Sequence, residues 1–251
     1  KGLKFRADYG HTNYKYESSY FRPIITQQDQ SILGESPIST LTLWNGIYKT
    51  STANFQVDYK LDTGKHNINA LLGYGTERTR NVLTTLTYEG FPNDEVLNNV
   101  ASAKWSSGQN QILQKHGLNS WFTRLNYGYF NKYFAEFSFR ADASSKFGPN
   151  NQWGYFPAFS AAWVASQENF FKHFRWLDNL KFRASIGQTG STNIDDFSYR
   201  QYYSSKGQYI GNSSIVLNDM LPNKGIKWEK TTESNFGIDF AFLNNRIYGN
   251  I

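Results

Sequence analysis

Histidines and carboxylates are the side chains that most often carry chemistry, and here they are scattered. His11, His66, His116 and His173 show neither an H-E-x-x-H nor an i, i+4 pairing, so no metal site is predicted. Asp94-Glu95 and Asp195-Asp196 are adjacent acids in polar stretches, where such pairs are usually solvated; a glycosidase pair needs a fixed gap across a cleft. Gly73-Tyr-Gly75 starts a G-x-G pattern, but the third glycine position is Arg78 and no helix follows. Neither a phosphate-binding G-x-x-x-x-G-K-[ST] nor a nucleophile G-x-S-x-G occurs. The expectation is no catalytic residue, no cofactor and no enzyme.

Two other sets carry more information. Arg124, Glu136, Arg140, Asp142, Lys181, Arg183, Glu233 and Asp239 fall mid-segment at alternate positions among aromatic residues. Trp105, Tyr199, Tyr202, Tyr203 and Tyr209 fall in polar segments read as loops, where rings stack on sugars, contact a partner protein, or pack on their own loop.

Both sets are positioned by strands. In Tyr133–Asp142 the residues Tyr133, Ala135, Phe137, Phe139 and Ala141 share one face of an extended chain. Phe134, Glu136, Ser138, Arg140 and Asp142 share the other. The same alternation predicts strands at Leu3–Tyr9 (continuing toward Tyr16), Ala53–Tyr59, Ile68–Tyr74, Trp121–Tyr129, Tyr155–Trp163, Leu180–Ile186 and Phe236–Phe242. Asp62-Thr-Gly-Lys65 is a tight turn with Gly64 free to take positive φ, and Leu243-Asn-Asn245 is a second. Alternation fades between Arg78 and Lys115, which reads as a long polar segment. Phe170, Phe171, Phe174 and Leu177 fall at helical spacing, which predicts a short amphipathic helix or a turn over Gln167–Asn179.

About nine strands result, most of ten or more residues, with long and short connections alternating. Long strands with one set of short turns are the pattern of an outer-membrane β-barrel. Composition agrees: aromatics are 18% of a chain that is only 39% hydrophobic, with 17 Tyr, 20 Phe and 7 Trp, and the mean hydropathy is −0.60. Rings without matching aliphatics suit aromatic girdles at both membrane boundaries. On this reading Tyr127, Tyr129 and Tyr133 form a girdle at the short-turn rim. A Lys or Arg facing lipid near the midplane costs about 2–4 kcal/mol, so the eight ionisable residues are predicted to line the lumen. There they either neutralise one another or take part in solute passage.

The formal charge of +6 arises from 26 Lys and Arg interleaved with 20 Asp and Glu. A dedicated nucleic-acid binder clusters its basic residues, so nucleic acid is not an expected partner. Cysteine is absent, which removes disulfide and thiolate chemistry. The opening at Lys1 and the strand-like closing run Asn245–Ile251 lead us to expect an internal stretch of a longer protein.

Several runs together resemble a known family. Arg140-Ala-Asp-Ala-Ser-Ser-Lys-Phe-Gly148, Trp153-Gly-Tyr-Phe-Pro157, Ser160-Ala-Ala-Trp163, Trp176-Leu177 and Leu180-Lys-Phe-Arg-Ala-Ser-Ile-Gly-Gln-Thr-Gly190 are similar, in order and spacing, to SusC/RagA-like TonB-linked outer-membrane transporters. Lys227-Trp-Glu-Lys-Thr-Thr232, Asn235-Phe-Gly-Ile-Asp-Phe240 and Leu243-Asn-Asn-Arg246 complete the set. The resemblance is dense over Trp121–Ile251 and weaker before it. It implies an all-β antiparallel transmembrane barrel of roughly 22 strands with a plugged lumen, residues 1–251 being part of that one domain. It further implies a SusD-like surface lipoprotein, energy from the TonB complex through regions outside this sequence, outer-membrane lipid as surroundings, and an oligosaccharide or peptide as substrate. In the family these motifs are largely structural, Trp153–Pro157 shaping the start of a strand rather than binding solute. Two other readings remain open at this point: a soluble aromatic-rich carbohydrate-binding β domain, and a passive porin-like channel. A sheet with two open edges also predicts aggregation of this chain in isolation.

Overall fold

A computed structural model describes residues 2–24, 38–93, 98–201 and 222–251, together with the backbone of 203–209 and 212–217. The strands are β1 (Gly2–Arg22), β2 (Thr40–Asp62), β3 (His66–Glu89), β4 (Trp105–Tyr129), β5 (Tyr133–Ser144), β6 (Trp153–Val164), β7 (Leu177–Ser191), β8 (Tyr203–Tyr209), β9 (Asn212–Leu217), β10 (Glu229–Phe242) and β11 (Ile247–Asn250). Nine of them form one sheet in the order β1-β2-β3-β4-β5-β6-β7-β10-β11, while β8 and β9 form a separate hairpin within the β7–β10 connection. The pairings β4–β5, β5–β6, β6–β7, β7–β10, β10–β11 and β8–β9 are all antiparallel. Sequential strands therefore neighbour one another, as they must when each connection is a local turn or loop.

The chain divides into two compact units. The first contains Lys1–Tyr9, Thr52–Glu77 and Gly117–Ile251. Its register is unbroken from β4 to β7: Asn126 pairs with Glu136, Glu136 with Ser160, and Ser160 with Ser185. Because side chains alternate and paired residues share a face, this register separates two surfaces. One carries Trp121, Leu125, Phe137, Tyr155, Phe159, Ile186 and Phe236, all exposed, Phe236 at 71%. The other carries the polar residues.

Short turns gather at one rim of this unit. Phe130 N–H donates to Lys65 O (2.8 Å), Val164 N–H to Lys132 O (2.8 Å) and Leu243 N–H to Trp176 O (2.9 Å), so each turn is tied to the next. Gly64 takes φ +80°, as its place in the Asp62–Lys65 turn requires. Leu243, Asn244 and Asn245 all take positive φ; asparagine tolerates that region better than other side chains, and the Asp178 carboxylate accepts the Asn245 N–H at 3.0 Å. At the opposite ends of β5–β7 and β10 lies a small core of Phe147, Phe156 and Trp228, flanked by Leu118, Ile194 and Ile226. Trp228 donates its indole N–H to Gln152 O (2.8 Å). A side chain at Gly154 or Gly190 would run into the Phe156 ring, so those glycines exist to admit it.

The second unit contains Gly10–Ser51 and Arg78–His116. Here the expectation of a long polar segment is corrected: β3 runs on to Glu89 and β4 already starts at Trp105. Polar side chains hold these extensions, with Asn81 donating to Gln114 (3.0 Å), Gln111 to Thr84 (3.3 Å), and Thr50 bonded to Thr79 (3.1 Å). A ladder with water on both faces has no reason to alternate, so period-two patterning is lost although the strand persists. Ser39 is fully buried, and its hydroxyl accepts the Phe91 N–H (3.1 Å) while Phe91 packs edge-on against Phe21.

Of the helix-or-turn alternatives for Gln167–Asn179, the turn is correct. A single 3₁₀ turn, Ala165–Gln167, leads into a chain of turns, and no α-helix occurs among the described residues.

Candidate functional site

The register places all eight ionisable candidates on one face of the first unit. Arg140 and Asp142 on β5 stand opposite Phe122 and Ser120 on β4; Arg124 and Glu136 belong to the same rows. On the far side, Lys181 pairs with Asp239, Arg183 with Gly237 and Gly187 with Glu233. The β6–β7 register joins the two halves through Ala162–Arg183 and Val164–Lys181.

Within that face three ion pairs form. Arg140 is the most constrained. Its Nε donates to Asp142 Oδ2 (2.7 Å), its Nη2 donates to Ser120 Oγ (2.9 Å), and the guanidinium lies 5.8 Å from the Phe122 ring centroid. Phe122 in turn occupies the space over Gly73, so the glycine of the abortive G-x-G pattern serves a close packing contact. The Asp142 side chain is buried and its Oδ1 has no hydrogen-bond partner among the described residues. Arg124 approaches Glu136 (3.6 Å), and Arg183 Nη2 approaches Asp239 Oδ1 (3.2 Å). Lys181 borders a cavity of about 710 Å³ whose walls also present Asn67, Asn126, Glu136, Ser160, Arg183 and Asn235. Glu233 is exposed beside a second, smaller cavity lined by Ser138, Gln188 and Thr189. Such a wall offers donors, acceptors and both signs of charge to a polar solute.

The rings expected to form a girdle do cluster at the short-turn rim. His66 stacks near Tyr127 and donates to or accepts from its hydroxyl (2.9 Å); Tyr129 follows, then Tyr133 at 6.4 Å. Sequence reasoning missed the residue that fastens it. Glu168 accepts from the Tyr133 hydroxyl (2.6 Å), the Lys132 ammonium (3.0 Å) and the Trp163 indole N–H (3.4 Å). The Tyr133 hydrogen bond, then the Lys132 ammonium, holds the Glu168 carboxyl below its ordinary value. Its only signal in the sequence is an acid just beyond the Ser160–Trp163 run, set beside rings at helical spacing.

The aromatic loop set fares differently. Trp105 is corrected from a loop residue to the first residue of β4, because the β3–β4 ladder extends that far. It packs over Gly90, donates to Glu89 (3.1 Å) and lies under the Lys104 ammonium. Tyr199 is half-buried, rests against Gly148 and accepts from Arg200 (3.1 Å). Tyr202 lies outside the described residues, as do the side chains of Tyr203 and Tyr209, whose backbones belong to β8.

Among the described residues no group of three or more His, Asp or Glu side chains is arranged to hold a metal ion. His11 bonds Ser51 (2.9 Å) and His66 bonds Tyr127, while His173 stands exposed on a turn. No described helix is long and apolar enough to cross a membrane, which leaves crossing by strands open.

No family model matches the chain. It is 29% identical over 250 residues to TonB-dependent receptor P3 of Formosa agariphila, a match covering 98% of this chain and 24% of that protein. It is 40% identical over 149 residues to TonB-dependent receptor SusC of Bacteroides thetaiotaomicron, covering 57% of this chain and 15% of that protein. In fold it is similar over its whole length to 27% of a chain in the solved RagAB peptide transporter, with a TM-score of 0.86 and 23% identity. The chain spans about a quarter of the first relative's length. None of these relatives is named as an enzyme. With this sheet, these runs and these relatives, the chain is similar in sequence to a stretch of SusC-like TonB-dependent receptors and shares its fold with part of the RagAB transporter.

Proposed function

We propose that residues 1–251 form part of the wall of one β-barrel domain in the outer membrane of a Gram-negative bacterium, and that the barrel imports a bulky nutrient. The observation that carries this reading is the separation of faces in the first unit: exposed rings on one side, and Arg124, Glu136, Arg140, Asp142, Lys181, Arg183, Glu233 and Asp239 on the other. Lipid accepts the first face and only water or polar solute accepts the second. The polar face lines the solute path, its ion pairs leaving the wall close to neutral. Oligosaccharide or peptide is the substrate class, a SusD-like lipoprotein the surface partner, and the TonB complex the source of energy. The loop aromatics Trp105, Tyr199, Tyr202, Tyr203 and Tyr209 are the candidates for substrate or partner contact. The test is uptake by the intact parent protein in outer membranes. Accumulation that requires TonB, with a lipoprotein co-purifying in detergent, supports the reading; TonB-independent passage without a lipoprotein contradicts it in favour of a passive channel.

A further inference from the structure

We infer that the 165–176 turn is an anchor for anionic phospholipid headgroups at the short-turn rim, an inference that rests on the membrane reading above. The turn is pre-ordered. Glu168 N–H donates to Ala165 O (2.9 Å), Phe171 N–H to Glu168 O (3.1 Å), Phe174 N–H to Phe171 O (3.0 Å) and Leu177 N–H to Phe174 O (3.0 Å). Its rings are nonetheless exposed: Phe170 at 59%, Phe174 at 46% and Trp176 at 52%. They continue the outward face without a break, Phe170 to Phe171 (4.8 Å), Phe174 to Trp176 (5.9 Å), Trp176 to Phe242 (5.5 Å) and Phe242 to Phe240 (5.4 Å).

Charge sits at the same level. Lys172, His173 and Arg175 are exposed and have no hydrogen-bond or ion-pair partner among the described residues. The two neighbouring acids pair with none of the three. Glu168 is held by Lys132, Tyr133 and Trp163, and Asp178 accepts the Asn245 N–H. Rings adjoining a lipid-facing surface, with unpaired cations between them, match the headgroup zone, where the indole settles, the phenyl rings reach the adjoining hydrocarbon and phosphates attract Lys and Arg. A protein partner is the poorer fit, because the ring path leads onto the face already assigned to lipid.

The test uses the intact parent protein in nanodiscs of phosphatidylcholine with and without phosphatidylglycerol. Retained phosphatidylglycerol is counted by native mass spectrometry. Quenching of Trp176 by brominated lipid is read as the difference from Trp176→Phe. Each cation is worth about fivefold in binding an anionic surface, so Lys172→Gln with Arg175→Gln should weaken phosphatidylglycerol retention about 25-fold. Quenching of Trp176 should persist in that variant. Equal retention by parent and double variant overturns the inference, as does an unquenched Trp176. A tryptophan placed by Phe159→Trp separates the two levels. If it is quenched while the turn fails, only the anchor falls; if it too is unquenched, the membrane reading falls with it.

Discussion

Arg183 reaches diagonally across β10, over Gly237, to place Nη2 3.2 Å from Asp239 Oδ1. The residue directly opposite Arg183 is Gly237, and a Cβ there would stand 2.7 Å from Arg183 Nε. The glycine thus keeps a track open for the guanidinium. Gly237→Val is expected to push Arg183 off Asp239. Both charged groups are part-exposed, so the loss from the pair itself should stay within about 1 kcal/mol. A double-mutant cycle with Arg183→Gln and Asp239→Asn measures it; a coupling above about 2 kcal/mol would mean the wall is far drier than a solute path requires.

Phe159 and Ser160 are neighbours in β6 with opposite surroundings. Phe159→Arg puts a charge on the exposed aromatic face and should cost about 2–4 kcal/mol in bilayers. Ser160→Arg enters the polar face beside Glu136 and should be close to neutral. Folding titrations of the parent barrel into lipid vesicles compare the two; equal penalties would remove the assignment of faces.

Acid should loosen the short-turn rim. Glu168 is held below its ordinary value by Tyr133 and Lys132, so its contribution is present above the unfolded carboxylate value and is lost as pH falls through the lower folded value. The window therefore lies on the acid side of the usual carboxylate range. Hydrogen exchange at 165–170 should rise there in the parent protein, whereas Glu168→Gln should exchange faster already at neutral pH and show no further step. A Gln variant as protected as the parent would rule out the clamp.

The Phe147–Phe156–Trp228 core should dominate local stability at the other rim. Trp228→Ala should cost about 3–5 kcal/mol, since a nearly buried ring leaves a cavity. Gly154→Ala should cost about 1–3 kcal/mol by overpacking against Phe156 and Trp228. Urea unfolding monitored by tryptophan emission reports both, and a neutral Gly154→Ala would show that the rings can shift.

What was legible in the sequence follows from these environments. Period two survives wherever one face meets an apolar phase and the other water. Parity alone therefore placed Arg124 through Asp239 on one face, helped by a register that runs without a shift from β4 to β7 and along β10 as far as Ala241. It failed beyond Arg78, where both faces of β3 and β4 are wet and the ladder is held by Asn, Gln and Thr pairs. The buried core was not foreseen because Phe156 shares parity with Arg140, and its partner Trp228 lies outside any strand. Glu168 was hidden because its three donors come from a turn, the start of β5 and the end of β6, contacts that no local pattern encodes.

The most direct test of the central claim is spin-label accessibility along β6, residues 155–163, in the intact parent protein reconstituted in bilayers. The membrane reading predicts period-two behaviour: labels at Tyr155, Phe159 and Trp163 collide with oxygen dissolved in lipid, and labels at Ala158, Ser160 and Ala162 collide with a water-soluble nickel complex. Uniform aqueous access at every position would contradict the account, because a wall with water on both faces cannot be a membrane wall.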